Sequence, residues 1–240
     1  MKKGIIAGIL SSVLLLGIGF LGLGDTYAFY YATAGDQETG LIIMNSGGSE
    51  TDYLLKVYDA YGTLLDAISG DLDPFESDYV SLSTLAGNAE MSWGLALIES
   101  PAILTFGVET YIGDLWLASD NVTDPIPVDL EETYYWYGLN YSNTADQKTG
   151  LAIVNPNDGP ASATVYVYDS LGGLEKSFDI VLEPHETDYY DLETLLAVDR
   201  GMWGIVDVRA TEPVVLAAEY LDADGYLLNV DQVVYFYYSE

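Results

Sequence analysis

Beyond residue 24, hydrophobic and polar residues alternate with a period of two. Between residues 163 and 168, for example, Ala, Val and Val alternate with Thr, Tyr and Tyr. Successive side chains of a β-strand point to opposite faces, so this pattern predicts strands with one face on a core. Gly, Pro and Asn interrupt the alternation every 8–12 residues or so, as in sandwiches and barrels. A helical period is confined to about one turn at 83–86 and at 193–196, so the alternation predicts an all-β protein.

The strand pattern occurs twice. The sequence Asp-Gln-Glu-Thr-Gly-Leu at 36–41 returns with one change at 146–151, which is 110 residues later. Residues 36–94 and 146–204 align without a gap and are identical at more than one third of the positions. Self-similarity at a fixed period indicates repeated copies of one structural unit.

An aromatic segment marks the start of each copy. It occurs at Thr26–Tyr31 and at Thr133–Tyr137, and a third version at Val234–Tyr238 ends the sequence. Between the copies, residues 119–132 contain two prolines and several acids, which is typical of an exposed linker. We expect the first repeat at 25–118, this linker at 119–132 and the second repeat at 133–240.

The order of motifs in the second copy resembles a known class of repeat. After the aromatic segment, the motifs are Ile153-x-Asn155-Pro156-Asn157, Val165-x-Val167-Tyr168-Asp169-x-x-Gly172, Leu182-x-Pro184, Leu192-x-x-Leu195 and Glu212-Pro213-Val214-Val215. This order resembles the β-sandwich repeats of secreted bacterial surface proteins, which are similar to the sensory rhodopsin transducer domain. The resemblance implies two tandem immunoglobulin-like antiparallel β-sandwiches that act as binding or structural modules. It supplies no catalytic residue.

The N-terminal 24 residues predict export. Lys2 and Lys3 precede an uncharged apolar stretch from Gly4 to Gly24, as in a secretory signal peptide. The stretch is also long enough for an uncleaved membrane anchor, and residues 2–5 look like the leader of a pilin-like filament subunit. All three alternatives place the protein outside the cytoplasm, at the cell surface or in the extracellular space, with the periplasm as a further location.

Charge excludes one class of partner. The formal net charge is −31, so the protein repels nucleic-acid backbones and anionic membrane surfaces. We expect no nucleic-acid partner, and membrane contact only through residues 4–24 if they are not cleaved. The acidity predicts either a solvated surface or cation binding. Cysteine is absent, which excludes disulfides and thiolate metal sites.

No combination of residues predicts an enzyme. His185, the single histidine, directly follows Pro184 and is expected to be an exposed turn residue. The carboxylate pair Glu76 and Asp78 returns as Glu186 and Asp188, which favours a duplicated turn and strand entry over a catalytic pair.

One short acidic motif resembles part of a calcium loop. Asp222 and Asp224 stand at alternate positions before Gly225. Calcium prefers six to eight oxygen ligands, and the motif offers only two acids. A β-hairpin turn with Asp-Gly at its tip is the alternative interpretation.

Aromatic residues supply the remaining candidates. Trp93 and Trp203 occupy equivalent places in the two copies and are predicted to fill the two cores. The candidates for contact with a protein partner or a glycan lie where the copies differ or join: Trp116, Trp136, Tyr134, Tyr135, Tyr235 and Tyr237. We therefore expect a non-enzymatic structural or adhesive module that associates through aromatic strands. A carbohydrate-binding module and a pilin-like subunit are the alternatives.

Overall fold

The all-β class predicted from the alternation is confirmed. The computed structural model describes residues 25–33, 36–87, 93–113, 115–122, 135–196 and 202–233. These residues form sixteen strands and two single-turn helices, and the helices lie where the sequence shows its short helical period. No helix among the described residues is long and apolar enough to cross a membrane.

The first repeat has eight strands and one helix. They are β1 (Asp25–Ala32), β2 (Gln37–Met44), β3 (Thr51–Asp59), β4 (Leu64–Leu72), β5 (Ser77–Ser81), α1 (Leu82–Leu85), β6 (Trp93–Ser100), β7 (Thr105–Ile112) and β8 (Leu115–Val122). Strand β8 includes the first four residues of the expected linker, and residues 123–134 lie outside the described residues.

The second repeat has the same elements in the same order. They are β9 (Tyr135–Asn143), β10 (Gln147–Val154), β11 (Ala161–Asp169), β12 (Leu174–Leu182), β13 (Thr187–Asp191), α2 (Leu192–Leu196), β14 (Met202–Ala210), β15 (Val215–Asp222) and β16 (Leu227–Val233). The leader at 1–24 and the third aromatic segment at 234–238 lie outside the described residues.

The strands form four antiparallel sheets of four strands each. Sheet I has the order β5-β2-β7-β8, sheet II β1-β6-β3-β4, sheet III β13-β10-β15-β16 and sheet IV β12-β11-β14-β9. Sheet III is therefore the copy of sheet I, and sheet IV the copy of sheet II. An immunoglobulin sandwich pairs its first strand with its second, whereas here β1 pairs with β6 and β9 with β14. This strand pairing therefore differs from that of the immunoglobulin-like sandwiches that the resemblance implies.

Each repeat has its own hydrophobic core between its two sheets. Leu41 and Ile43 of sheet I pack with Leu55 and Val57 of sheet II, and an equivalent cluster joins sheets III and IV. These residues occupy every second position of their strands, which is the parity that the alternation predicts. The identical residues of the two copies thus specify the two cores.

A third hydrophobic cluster joins the two repeats. Tyr30 and Leu95, on the outer face of sheet II, pack with Ala152, Val154 and Ala217 on the outer face of sheet III. The strands at this contact, β1 and β6 of sheet II and β10 and β15 of sheet III, are therefore buried on both faces. Strand β16 of sheet III also contacts β8 of sheet I. The outer faces of sheets I and IV take no part in this cluster.

The β3–β4 hairpin of repeat 1 docks on the β12–β13 turn of repeat 2. The Thr187 N–H donates to the Ala60 carbonyl at 3.0 Å, and the ring centroids of Tyr58 and His185 are 4.3 Å apart. The His185 side chain is only 13% exposed. The expectation of an exposed turn histidine is therefore wrong, because the first repeat covers the turn.

Two equivalent glycines allow the docking to be tested. Gly62 has φ +77° and faces the Pro184 carbonyl oxygen, with which an added Cβ would overlap, whereas Gly172 has φ +84° and nothing within 4 Å. Both alanine variants carry the left-handed backbone penalty of about 1–2 kcal/mol. Gly62→Ala alone also disturbs the contact between the repeats. We expect Gly62→Ala to lower the free energy of unfolding, measured by urea titration, more than Gly172→Ala does. An equal decrease in the free energy of unfolding for both variants would contradict the docking.

Candidate functional site

The outer face of sheet IV carries an aromatic cleft of about 580 Å³. The residues that shape it include Trp136, Asn140, Tyr168, Trp203, Ile205 and Asp207. Trp203 is 60% exposed, and half of the Ile205 side chain is also accessible. Large apolar side chains grouped in this way on a surface are typical of contact or ligand-binding sites.

The parity of strand β14 places Trp203 in this cleft. Val206 and Val208 point into the core, so residues 203, 205, 207 and 209 share the opposite face. The prediction that Trp93 and Trp203 fill the two cores is therefore wrong. Trp93 has the same parity in β6 and packs against the cluster between the repeats.

Arginine supplies the positive charge at the edge of the cleft. The Arg209 guanidinium lies 4.5 Å from the centroid of the Trp136 ring and 4.8 Å from that of Tyr166. It also donates to Asp207 across 3.1 Å, and this hydrogen bond is the main cause of the raised Arg209 pKa. A cation over two rings holds the aromatic side chains in place without hiding their other faces.

The equivalent face of sheet II is covered by sheet III. At its centre the Tyr30 hydroxyl donates to Glu219 Oε1 at 3.0 Å, and the Tyr189 hydroxyl donates to Glu219 Oε2 at 3.1 Å. The Gln232 side chain bonds the Tyr30 backbone N–H and carbonyl, both at 2.9 Å. These bonds satisfy the outer edge of β1 and fix its register against repeat 2.

Burial perturbs the ionisable groups of this cluster. Glu219 is only 7% exposed, and its desolvation raises the carboxyl pKa, although the hydrogen bonds from Tyr30 and Tyr189 partly oppose the rise. Burial, followed by the nearby Glu219 charge, also raises the pKa of both tyrosines. No sequence motif singled out Glu219. Its signal is a single acid that ends the apolar run Val214–Ala218.

The structure separates the six aromatic candidates. Trp136 lies in the cleft, whereas Tyr135 is buried in the core of repeat 2 and is unavailable as a surface contact. Trp116 pairs with Tyr111 through the backbone of β8, and its side chain is outside the described set. Three further candidates, Tyr134, Tyr235 and Tyr237, lie outside the described residues.

The acidic motif at Asp222 forms a turn. Asp222 Oδ1 accepts hydrogen bonds from the N–H groups of Asp224 and Tyr226, both at 2.9 Å. Asp59 and Asp169 accept two backbone N–H bonds in the same way at the β3–β4 and β11–β12 turns. Among the described residues, no three His, Cys, Asp or Glu side chains are grouped to hold a metal. Calcium binding at Asp222 and Asp224 stays a prediction.

Neither a protein-family model nor a curated protein matches the sequence. Solved structures with some likeness include β-glucuronidase 2 from Bacteroides uniformis, at 8% identity and a TM-score of 0.18, covering 87% of this chain and 26% of that one. Others are a β-glycosidase from Bacteroides vulgatus (9%, 0.16, covering 87% and 25%) and a glycosyl hydrolase family 2 member from Bacteroides cellulosilyticus (9%, 0.19, covering 87% and 26%). The chain spans about a quarter of their length, and TM-scores this low carry no conclusion about fold or activity.

The raised pKa of Glu219 predicts a specific pH dependence. Between the ordinary and the raised value, the folded protein binds more protons than the unfolded chain, so stability falls as pH rises through this window. Glu219→Gln keeps hydrogen-bonding atoms for both tyrosines and removes the ionisation. We expect the stability of the wild type relative to this variant to fall by up to about 1.4 kcal/mol per pH unit within the window.

The measurement is urea unfolding of both proteins from pH 4 to pH 8. Because many other acids titrate in this range, only the difference between the two proteins is informative. Glu175→Gln, at an exposed position of β12, is the matched control for the loss of a carboxylate. A difference for Glu219→Gln that does not change with pH, or that matches the Glu175→Gln control, would contradict the buried, ionisable carboxylate.

Proposed function

We propose that the protein is an exported, non-enzymatic structural or adhesive module of the cell surface or extracellular matrix, and that the aromatic cleft of sheet IV is its contact surface. The observation that carries the proposal is the exposure of Trp203 and Ile205 on a regular sheet face. Aromatic residues and arginine are enriched at protein interfaces, and this face combines both. We also propose that the two sheets of each repeat form one sandwich-like unit.

The carboxylates give no support to a catalytic alternative. Glu76 Oε2 accepts the Asp73 N–H at 2.7 Å, and Glu186 Oε2 accepts the Glu183 N–H at 2.7 Å. These acids therefore organise the two equivalent turns. The single histidine packs on Tyr58 between the repeats, where it is largely removed from solvent.

Carbohydrate binding at the same cleft is the second candidate. Trp136 and Trp203 offer rings for stacking against a sugar, and Asn140 and Asp207 supply polar groups beside them. Saturable binding of one sugar class on a glycan array, lost on Trp136→Ala, is the expected result for this function. An array that stays blank with and without calcium would remove it.

A charge placed in the cleft tests the contact function. Buried aromatic side chains at interfaces contribute about 2 kcal/mol or more, so Trp203→Asp should weaken binding of the labelled full chain to its producing cells at least about tenfold. Tyr226→Asp is the matched control, because Tyr226 is an equally exposed aromatic residue in the β15–β16 turn. Binding that is the same for the wild type and both variants would contradict the proposal.

A further inference from the structure

The contact between the two repeats is a template for a second contact. It joins the outer face of sheet II to the outer face of sheet III. Sheet IV is the copy of sheet II, and sheet I is the copy of sheet III. One molecule therefore carries a copy of each side of its own internal interface, and the sheets of the described chain cover neither copy.

The cleft on sheet IV corresponds to the part of sheet II that accepts repeat 2. Tyr168 is the equivalent of Tyr58, which packs on His185, and Trp203 is the equivalent of Trp93. Gly172, at the cleft rim, is the equivalent of Gly62, which faces Pro184. The cleft is thus the equivalent of the receptor surface, without its occupant.

Sheet I presents the corresponding occupant. Phe75 is the equivalent of His185 and has the same positive φ, 65° against 62°. Non-glycine residues seldom adopt this conformation. Because both turns share it, the Phe75 and His185 side chains leave their turns in the same direction. His185 is covered, whereas Phe75 is 78% exposed and Tyr79, the equivalent of Tyr189, is 50% exposed.

Where the two copies differ, the side chains of the two faces also differ in size in a complementary way. On the receptor side, Asn140 replaces Tyr30, which makes room in the cleft. On the occupant side, Ile42 replaces Ala152, Met44 replaces Val154 and Phe75 replaces His185, which adds volume, whereas Gly107 replaces Ala217. A larger occupant and a more open receptor match each other, as close packing at an interface requires.

We propose that sheet IV of one molecule binds sheet I of a second copy, so that chains associate head to tail and form open-ended assemblies. This proposal rests on the proposed contact function and names its partner. The two surfaces are different, so the contact is heterologous and leaves one unoccupied face at each end of every assembly. In this arrangement Phe75 packs on Tyr168, as His185 packs on Tyr58 within one chain.

The charge of the chain predicts how the assembly responds to salt. Each copy has a formal net charge of −31, so two copies repel each other at low ionic strength. Added salt screens this repulsion, because the screening length falls from about 10 Å at 0.1 M to about 3 Å at 1 M. The apparent association constant should therefore rise with NaCl concentration.

Complementary variants test the polarity of the contact. Trp203→Asp damages the sheet IV face and leaves sheet I intact, whereas Phe75→Asp does the reverse. Sedimentation velocity of the full chain in a fixed concentration of non-ionic detergent should show wild-type assemblies that lengthen with concentration. Each variant alone should be monomeric, and an equimolar mixture should form dimers that grow no further. All variants share residues 4–24, so association through that segment cannot produce these differences.

The other outcomes are informative. If Phe75→Asp still dimerises alone while Trp203→Asp does not, two copies of sheet IV pair with each other and the head-to-tail contact is wrong. If the wild type is monomeric at all salt concentrations but cell binding still depends on Trp203, the self-association fails and the contact function stands. If cell binding is also independent of Trp203, both proposals fail. Tyr226→Asp should match the wild type, and circular dichroism should confirm that every variant is folded.

Discussion

Burial of the central strands of sheets II and III on both faces is the constraint on which the architecture depends. A strand with two buried faces needs apolar residues at every position, and β6 meets this demand with the run Leu95-Ala96-Leu97-Ile98. Its copy β14 has one uncovered face and reads Ile205-Val206-Asp207-Val208 instead. Equivalent strands of the two repeats thus have different hydrophobic patterns, and the difference indicates which strand is covered by another sheet on its outer face. The position of the cleft follows from this layering.

A carboxylate in the middle of that contact needs a physical reason, because burying a charge costs free energy. Two tyrosine hydroxyls compensate Glu219, one from each repeat. Replacing buried polar groups by apolar ones often stabilises a protein, so the benefit of such a cluster lies elsewhere. Hydrogen bonds have directions and hydrophobic contacts do not. Together with the hydrogen bonds from Gln232 to the edge of β1, those of Glu219 allow only one register between sheets II and III, whose other contacts are apolar.

Local sequence patterns predicted the strands and turns, but they could not predict the contacts between the repeats. The alternation gave the strands, and the repeated Asn45 and Asn155 mark turns in which one buried amide bonds three carbonyls. The parity of β14 could also have placed Trp203 outside, because it shares that parity with Asp207. No local pattern could show that His185 is covered, since Tyr58 lies far away in the sequence. The resemblance to immunoglobulin-like sandwiches did not predict the strand pairing for the same reason, because strand pairing depends on contacts between distant parts of the chain.

The positions at which the two copies differ distinguish the residues of the contact surfaces from those of the cores. End units of a repeat array normally carry polar outer faces, because nothing stacks on them. Sheet IV follows this rule in part: Asp207 replaces Leu97, and Asn140 replaces Tyr30. It departs from the rule at Trp203 and Ile205, and sheet I departs from it at Phe75. These departures fall on the two faces that are copies of the internal contact. The exposed large apolar side chains on these two faces are the observation on which the proposed contact with a second copy rests.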